Sequence, residues 1–175
     1  MATGTIILRP NGAGAETAIP VQVPSSGAHW DKVDEETADD YTTYIRTQGG
    51  NTQNWYRDLF TIQSPSSQPG RITKIVVHAR AGNTASNQTG IFNISIRTNS
   101  TTVDSADVPI TYGFRDESYT WTNNPVTSSA WTWNEITNLQ IGCKMKDWSG
   151  FYVQCTQIYV AVHYVQSGIF FHNFL

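Results

Sequence analysis

Six carboxylates crowd one short stretch of the chain: Asp31, Asp34, Glu35, Glu36, Asp39 and Asp40 fall within ten residues. Hard cations are held by several oxygen ligands, which a loop supplies as carboxylates and carbonyls together. Asp34, Glu35, Asp39 and Asp40 are therefore candidate ligands for a structural calcium. Their spacing is not that of an EF-hand, and a solvated loop whose carboxylates cap nearby backbone amides is the plainer expectation. Asp58, Asp104 and Glu117 could supply the carboxylate pair that glycoside hydrolysis requires, but nothing in the sequence pairs them. No G-x-S-x-G, H-E-x-x-H or G-x-x-x-x-G-K-[ST] pattern is present. The histidines, His29, His78, His163 and His172, stand apart from one another. The residue pattern points away from catalysis.

Six tryptophans and eight tyrosines bring a second chemistry. A flat aromatic face stacks on the C–H surface of a sugar. Trp55, Tyr56 and Trp148 fall in predicted loops and are the candidate glycan-binding residues. Trp121, Trp131 and Trp133 are expected to pack as anchors instead. Cys143 and Cys155 flank a turn predicted at 147–150. A hairpin centred near Ser149 sets them opposite each other with Cβ atoms about 4.5–5.5 Å apart, slightly beyond ideal disulfide geometry. A strained disulfide and two reduced, buried thiols both remain open, the thiols being the plainer expectation.

The C-terminal stretch 168–175 carries Ile169, Phe170, Phe171, Phe174 and Leu175. A free end is normally polar, and burying each of these side chains is worth about 1.5–3 kcal/mol. The tail is expected to dock, either on its own domain or, as the favoured expectation, on a copy of the same chain or a larger particle.

The elements that must position these residues read as β throughout. Charged residues are 14% of the chain and the net charge is −3; Thr is the commonest residue, which suits pleated, half-buried surfaces. The 11 basic residues form no run, which argues against nucleic-acid binding. No segment approaches the ~20 apolar residues of a membrane span. The first residues lack the pattern of a secretory signal, so the expectation is either that a signal has been removed or that export follows another route, such as within a virion. Strict alternation marks strands at 74–80 and 91–97. Further strands are expected at 5–9, 18–23, 41–47, 57–63, 102–111, 117–122, 139–146 and 151–165. Pro10-Asn11-Gly12 reads as a stop. The apolar phase of the last strand changes between Cys155 and Ile158, predicting a β-bulge near Thr156. Thr132 and Glu135 form a capping box for one short helix at 133–138. The expected fold is all-β, a two-sheet antiparallel sandwich, jelly-roll-like, with one helical turn. Residues 1–167 are expected to form one domain and 168–175 an appended apolar tail.

Two stretches carry a family resemblance. One runs Val33-Asp34-Glu35, Ala38-Asp39-Asp40 and Thr42-Thr43-Tyr44-Ile45. The other joins Thr120-Trp121-Thr122, Asn124-Pro125, Ala130-Trp131-Thr132-Trp133, Glu135-Ile136, Leu139-Gln140-Ile141-Gly142 and Cys155-Thr156-Gln157-Ile158-Tyr159-Val160. Over roughly residues 3–165 the chain resembles a β-sandwich module of tailed-phage structural proteins and bacterial or metagenomic surface proteins. The resemblance implies a structural or adhesive module without catalysis: a self-associating virion component or extracellular filament subunit. A carbohydrate-binding module using Trp55, Tyr56 and Trp148 is the alternative. Expected partners are copies of the chain, a virion or filament, and surface glycans. The expected location is virion or extracellular. No cofactor is expected apart from the calcium.

Overall fold

The computed structural model describes residues 2–50, 53–84, 89–147 and 151–166. Among these, twelve strands pair into two six-stranded antiparallel sheets. The first sheet has the order β10 (Gly113–Trp121), β6 (Arg71–Asn83), β12 (Val153–Val165), β4 (Tyr44–Arg46), β3 (Val21–Val23), with β1 (Thr3–Leu8) also on β12. The second has the order β2 (Pro10–Thr17), β5 (Trp55–Ile62), β11 (Gln140–Lys146), β7 (Gly90–Thr98), β8 (Thr101–Asp104), with β9 (Val108–Ile110) also on β7. A 3-10 turn spans His29–Lys32, and one helix, α1, spans Trp133–Thr137. The chain is an all-β sandwich, as its alternation and turn spacing predict.

The core lies between the sheets. Ile75, Val77 and Ala79 of β6 and Ile158, Val160 and Val162 of β12 face Phe92, Ile94 and Ile96 of β7 and Ile141 and Met145 of β11. These β-branched and aromatic side chains alternate with outward polar ones, the pattern that suits a half-buried pleat. The bulge falls where the phase change places it: the register on β6 slips between Cys155 and Gln157. The extra residue, Thr156, turns its hydroxyl to Thr43 O at 2.8 Å and Asp39 Oδ1 at 3.1 Å. The slip keeps both halves of β12 facing the core.

The capping box forms as expected. Glu135 N donates to Thr132 Oγ1 at 3.2 Å, and Thr132 N donates to Glu135 Oε2 at 2.8 Å. Fully buried Asn124 ties this helix to β7, donating to Glu135 Oε1 at 2.8 Å and Thr98 Oγ1 at 3.1 Å. Trp131 Nε1 donates to Trp121 O at 3.0 Å, and both rings are buried. The tryptophans of this motif are packing anchors.

Four local expectations change. The first strand stops before Pro10-Asn11-Gly12, as expected, but those residues are not a loop: β1 ends at Leu8 and β2 starts at Pro10 in the opposite sheet. The segment 102–111 is two strands, because Ser105 folds back: Ser105 N donates to Ile94 O at 2.8 Å and its hydroxyl accepts from Ile94 N at 3.0 Å. Trp55 and Tyr56 open strand β5 and are not loop residues. Cys143 and Cys155 do not face each other across a hairpin, since β11 belongs to the second sheet and β12 to the first. They meet across the sandwich core as free, buried thiols. The Cys155 thiol, then burial, push the Cys143 thiol well above its usual range.

The proposed tail contacts Ile169, Phe170, Phe171, Phe174 and Leu175, and the loop residue Trp148, lie outside the described residues. Among the described residues, no helix is long and apolar enough to cross a membrane.

Candidate functional site

The outer face of the second sheet gathers the polar side chains that the core rejects. On β5, residues 56, 58, 60 and 62 turn inward, so Trp55, Arg57 and Thr61 turn outward. The β11 register sets Lys146 beside Trp55, Lys144 beside Arg57 and Gln140 beside Thr61. The β7 register continues these rows with Asn93, Ser95 and Arg97, and β8 adds Asp104 beside Ser95 and Thr102 beside Arg97. Gly142 occupies the middle of the face. A Cβ there would lie 1.9 Å from Asp58 O, so only glycine lets β11 and β5 approach this closely.

Trp55 heads this face and is 38% exposed. Lys144 Nζ lies 4.3 Å and Lys146 Nζ 5.6 Å from its ring centroid, within cation–π range. Asp104 organises the middle. Its Oδ2 accepts from Arg57 Nη2 at 2.7 Å and Lys144 Nζ at 3.1 Å, while Oδ1 accepts from Ser95 Oγ at 2.8 Å. Burial alone would raise the Asp104 carboxyl, but the bonds from Ser95, Arg57 and Lys144 outweigh it and hold the group below the usual carboxylate range. Arg57 Nη1 reaches Glu16 at 3.2 Å, and this second acid helps hold its guanidinium. Because the network spans β2, β5, β7, β8 and β11, it fixes side chains across the whole width of the face. The result is one flat aromatic ring followed by immobilised hydrogen-bonding groups of both signs.

Of the three aromatics expected to bind glycans, Trp55 stands on this face. Tyr56 turns to the other side and packs against the core beside Met145. The sequence singles out Asp104 only as a possible hydrolytic carboxylate, and it does not single out the cations around Trp55. The alternation Trp55-x-Arg57 and Lys144-x-Lys146 was the signal that places them on a common side.

Three of the four expected calcium ligands, Glu35, Asp39 and Asp40, are engaged by protein donors. Asp40 takes both ends of Arg80, at 2.5 Å from Nε and 2.7 Å from Nη2. Asp39 accepts from Thr43 N at 3.1 Å, and Glu35 and Asp39 share the Thr43 hydroxyl. Burial pushes the Glu35 and Asp34 carboxyls up. Among the described residues no group of three or more His, Cys, Asp or Glu side chains is placed to hold a metal ion. The three carboxylates considered for glycoside hydrolysis are likewise apart. Asp58 faces inward, Asp104 faces outward from the same sheet, and Glu117 belongs to the other sheet.

No family model matches the chain, and no curated protein matches it. Solved structures share its outline. The CBM22-1 xylan-binding domain of Paenibacillus barcinonensis Xyn10C has a TM-score of 0.48 and 10% identity, over 96% of this chain and 100% of that one. The xylan-binding module CBM15 has a TM-score of 0.46 and 12% identity, over 95% and 100%. The N-terminal cellulose-binding domain of Cellulomonas fimi β-1,4-glucanase C has a TM-score of 0.40 and 11% identity, over 93% and 90%. Similarity at this level assigns no ligand to the chain.

Proposed function

We propose that this chain is a carbohydrate-binding module whose glycan lies across the outer face of the second sheet. One observation carries the reading: Trp55 offers an exposed ring at the head of a row of hydrogen-bonding side chains already held in place by the Asp104 network. The ring supplies a stacking surface for a sugar. Sugar hydroxyls both donate and accept, and Arg57, Lys144, Gln140 and Thr61 present donors and acceptors along the same face. Side chains that are ordered before binding lose little entropy when the ligand arrives.

Xylan, cellulose and β-1,4-galactan are the first glycans to test, with glucuronoxylan as the acidic member. Calorimetric titration is expected to show binding that Trp55→Ala weakens by about tenfold or more, with Tyr56→Phe unaffected. Absence of binding across a broad glycan array, or binding indifferent to Trp55→Ala, overturns the reading. The other reading, a self-associating virion or filament subunit, rests on the apolar composition of 169–175, and its test is the oligomeric state of the truncated chain.

A further inference from the structure

On the first sheet, where β1 pairs with the last residues of β12, lies a cavity of about 270 Å³. It is apart from Trp55, which stands on the second sheet. β1 contributes Thr3, Gly4 and Thr5, β12 contributes His163, Tyr164 and Val165, and β6 contributes Thr73 and Lys74. Consecutive residues of a regular strand point to opposite faces. Thr73 and Lys74 both reach the cavity because the register slips here. His163 pairs with Lys74 and Tyr164 with Ile72, which leaves Thr73 as the extra residue of a bulge.

The wall combines one uncompensated cation with hydroxyls and an aromatic ring. No carboxylate lines the cavity. Lys32 and Lys144 each hold a carboxylate, whereas Lys74 has no ion-pair partner among the described residues. Its charge reaches across the cavity: burial, then Lys74, lowers His163. Thr73 Oγ1 donates to His163 O at 3.1 Å, and Thr5 Oγ1 lies 3.0 Å from His163 Nδ1. A Cβ on Gly4 would lie 2.3 Å from the Tyr164 ring, so only glycine lets that ring lie against β1. Trp133 meets the same ring edge-on, with centroids 6.1 Å apart, and helps to hold it.

We propose that this cavity binds a sugar ring bearing a carboxylate, of the uronic acid class, with the carboxylate on Lys74 and ring hydroxyls on the threonines. The composition of the wall selects this chemistry. An unpaired ammonium attracts an anion and repels a metal ion. An inorganic oxyanion would satisfy Lys74 and leave the Tyr164 and Val165 side unfilled. A neutral sugar would use the threonines and leave the ammonium without a counter-charge. Threonine hydroxyls donate and accept, so Thr3, Thr5 and Thr73 can meet sugar hydroxyls of either role.

The test is an NMR titration of the full chain with D-glucuronate, with D-glucose, which has the ring and lacks the carboxylate, and with inorganic phosphate. Glucuronate is expected to shift the Thr5, Thr73, Lys74 and His163 signals and to bind about five- to tenfold tighter than glucose. Lys74→Met is expected to erase that preference, and Lys74→Arg, which keeps the charge, to retain it. Equal binding of glucuronate and glucose to the unaltered chain overturns the proposal, whether or not either variant folds. So does a preference that survives in Lys74→Met, or phosphate binding in the cavity more tightly than glucuronate. Trp55→Ala is expected to leave the glucuronate shifts at this cavity unchanged, so failure here is read separately from failure of the glycan proposal.

Discussion

Replacing Asp104 with Ala strips the outer face of its organiser, and its cost follows from the contacts. Three hydrogen bonds vanish, two of them from cations whose side chains are only 21% and 25% exposed. A hydrogen bond to a charged group is worth roughly 1.5–3 kcal/mol when buried. Three such bonds overcount here, because Arg57 keeps Glu16, Lys144 keeps the Trp55 ring, and solvent screens a partly open site. The expected loss is about 2–4 kcal/mol, or a fall in Tm of roughly 5–15 °C. Urea unfolding of the two chains side by side measures it. Asp116→Ala is the matched control: Asp116 also pairs with an arginine, at 3.1 Å, but is 84% exposed. Its loss should stay within about 0.5 kcal/mol. Asp104 also predicts an acid limb. Its folded carboxyl titrates below the unfolded one, so the unfolded state binds more protons in that window. The stability it contributes is present above about pH 4 and is lost as pH falls through the folded value. Asp104→Asn should flatten that limb. If Asp104→Ala costs no more than Asp116→Ala, the network does not hold the face and the preorganisation reasoning fails.

Gly142→Ala should cost more than about 3 kcal/mol or prevent folding, because the added carbon meets Asp58 O on the neighbouring strand; a denaturation midpoint near that of the unaltered chain would refute it. Burial, then the charge of His163, lowers His78, and burial, then Lys74, lowers His163. The unfolded chain therefore takes up protons first, and stability should fall as pH drops from about 7 through the folded values; melting the His78→Gln/His163→Gln double variant should show a flatter profile between pH 7 and 5. Deleting residues 168–175 should leave a folded chain that associates less, as read by light scattering; unchanged assembly would mean that the tail packs on its own domain.

The parts of this fold that are legible in the sequence are those decided by neighbours in the chain. The alternation of β6 and β7 depends on residues two apart, the capping box on residues three apart, and the bulge at Thr156 on a phase change inside one strand. The sheet to which each strand belongs depends on distant partners. That is why Cys143 and Cys155 look like a hairpin pair and prove to face each other across the core. It is also why Pro10 reads as a terminator, although a proline on the edge strand β2 interrupts no ladder. The outer face was half legible. Trp55 stands out by type, but Glu16, Arg57, Asp104 and Lys144 come from four strands, and nothing in their local spacing announces that they converge. Thr5 and Lys74 are hidden for the same reason, brought to His163 only by folding.

The position of β12 has a consequence for how the chain reaches this state. Its second half, from Val160 to Val165, lies between β6 and β1, with Thr3 paired to Val165. On the ribosome, β1 and β6 are made long before the strand that must sit between them. Until then both present open edges to solvent and to other nascent chains. Closure waits on contacts of very long sequence separation, which makes for slow folding. A chaperone that shields strand edges should therefore raise the yield of folded protein more than one that acts after release, and truncation before residue 153 should leave a soluble fragment only at low concentration.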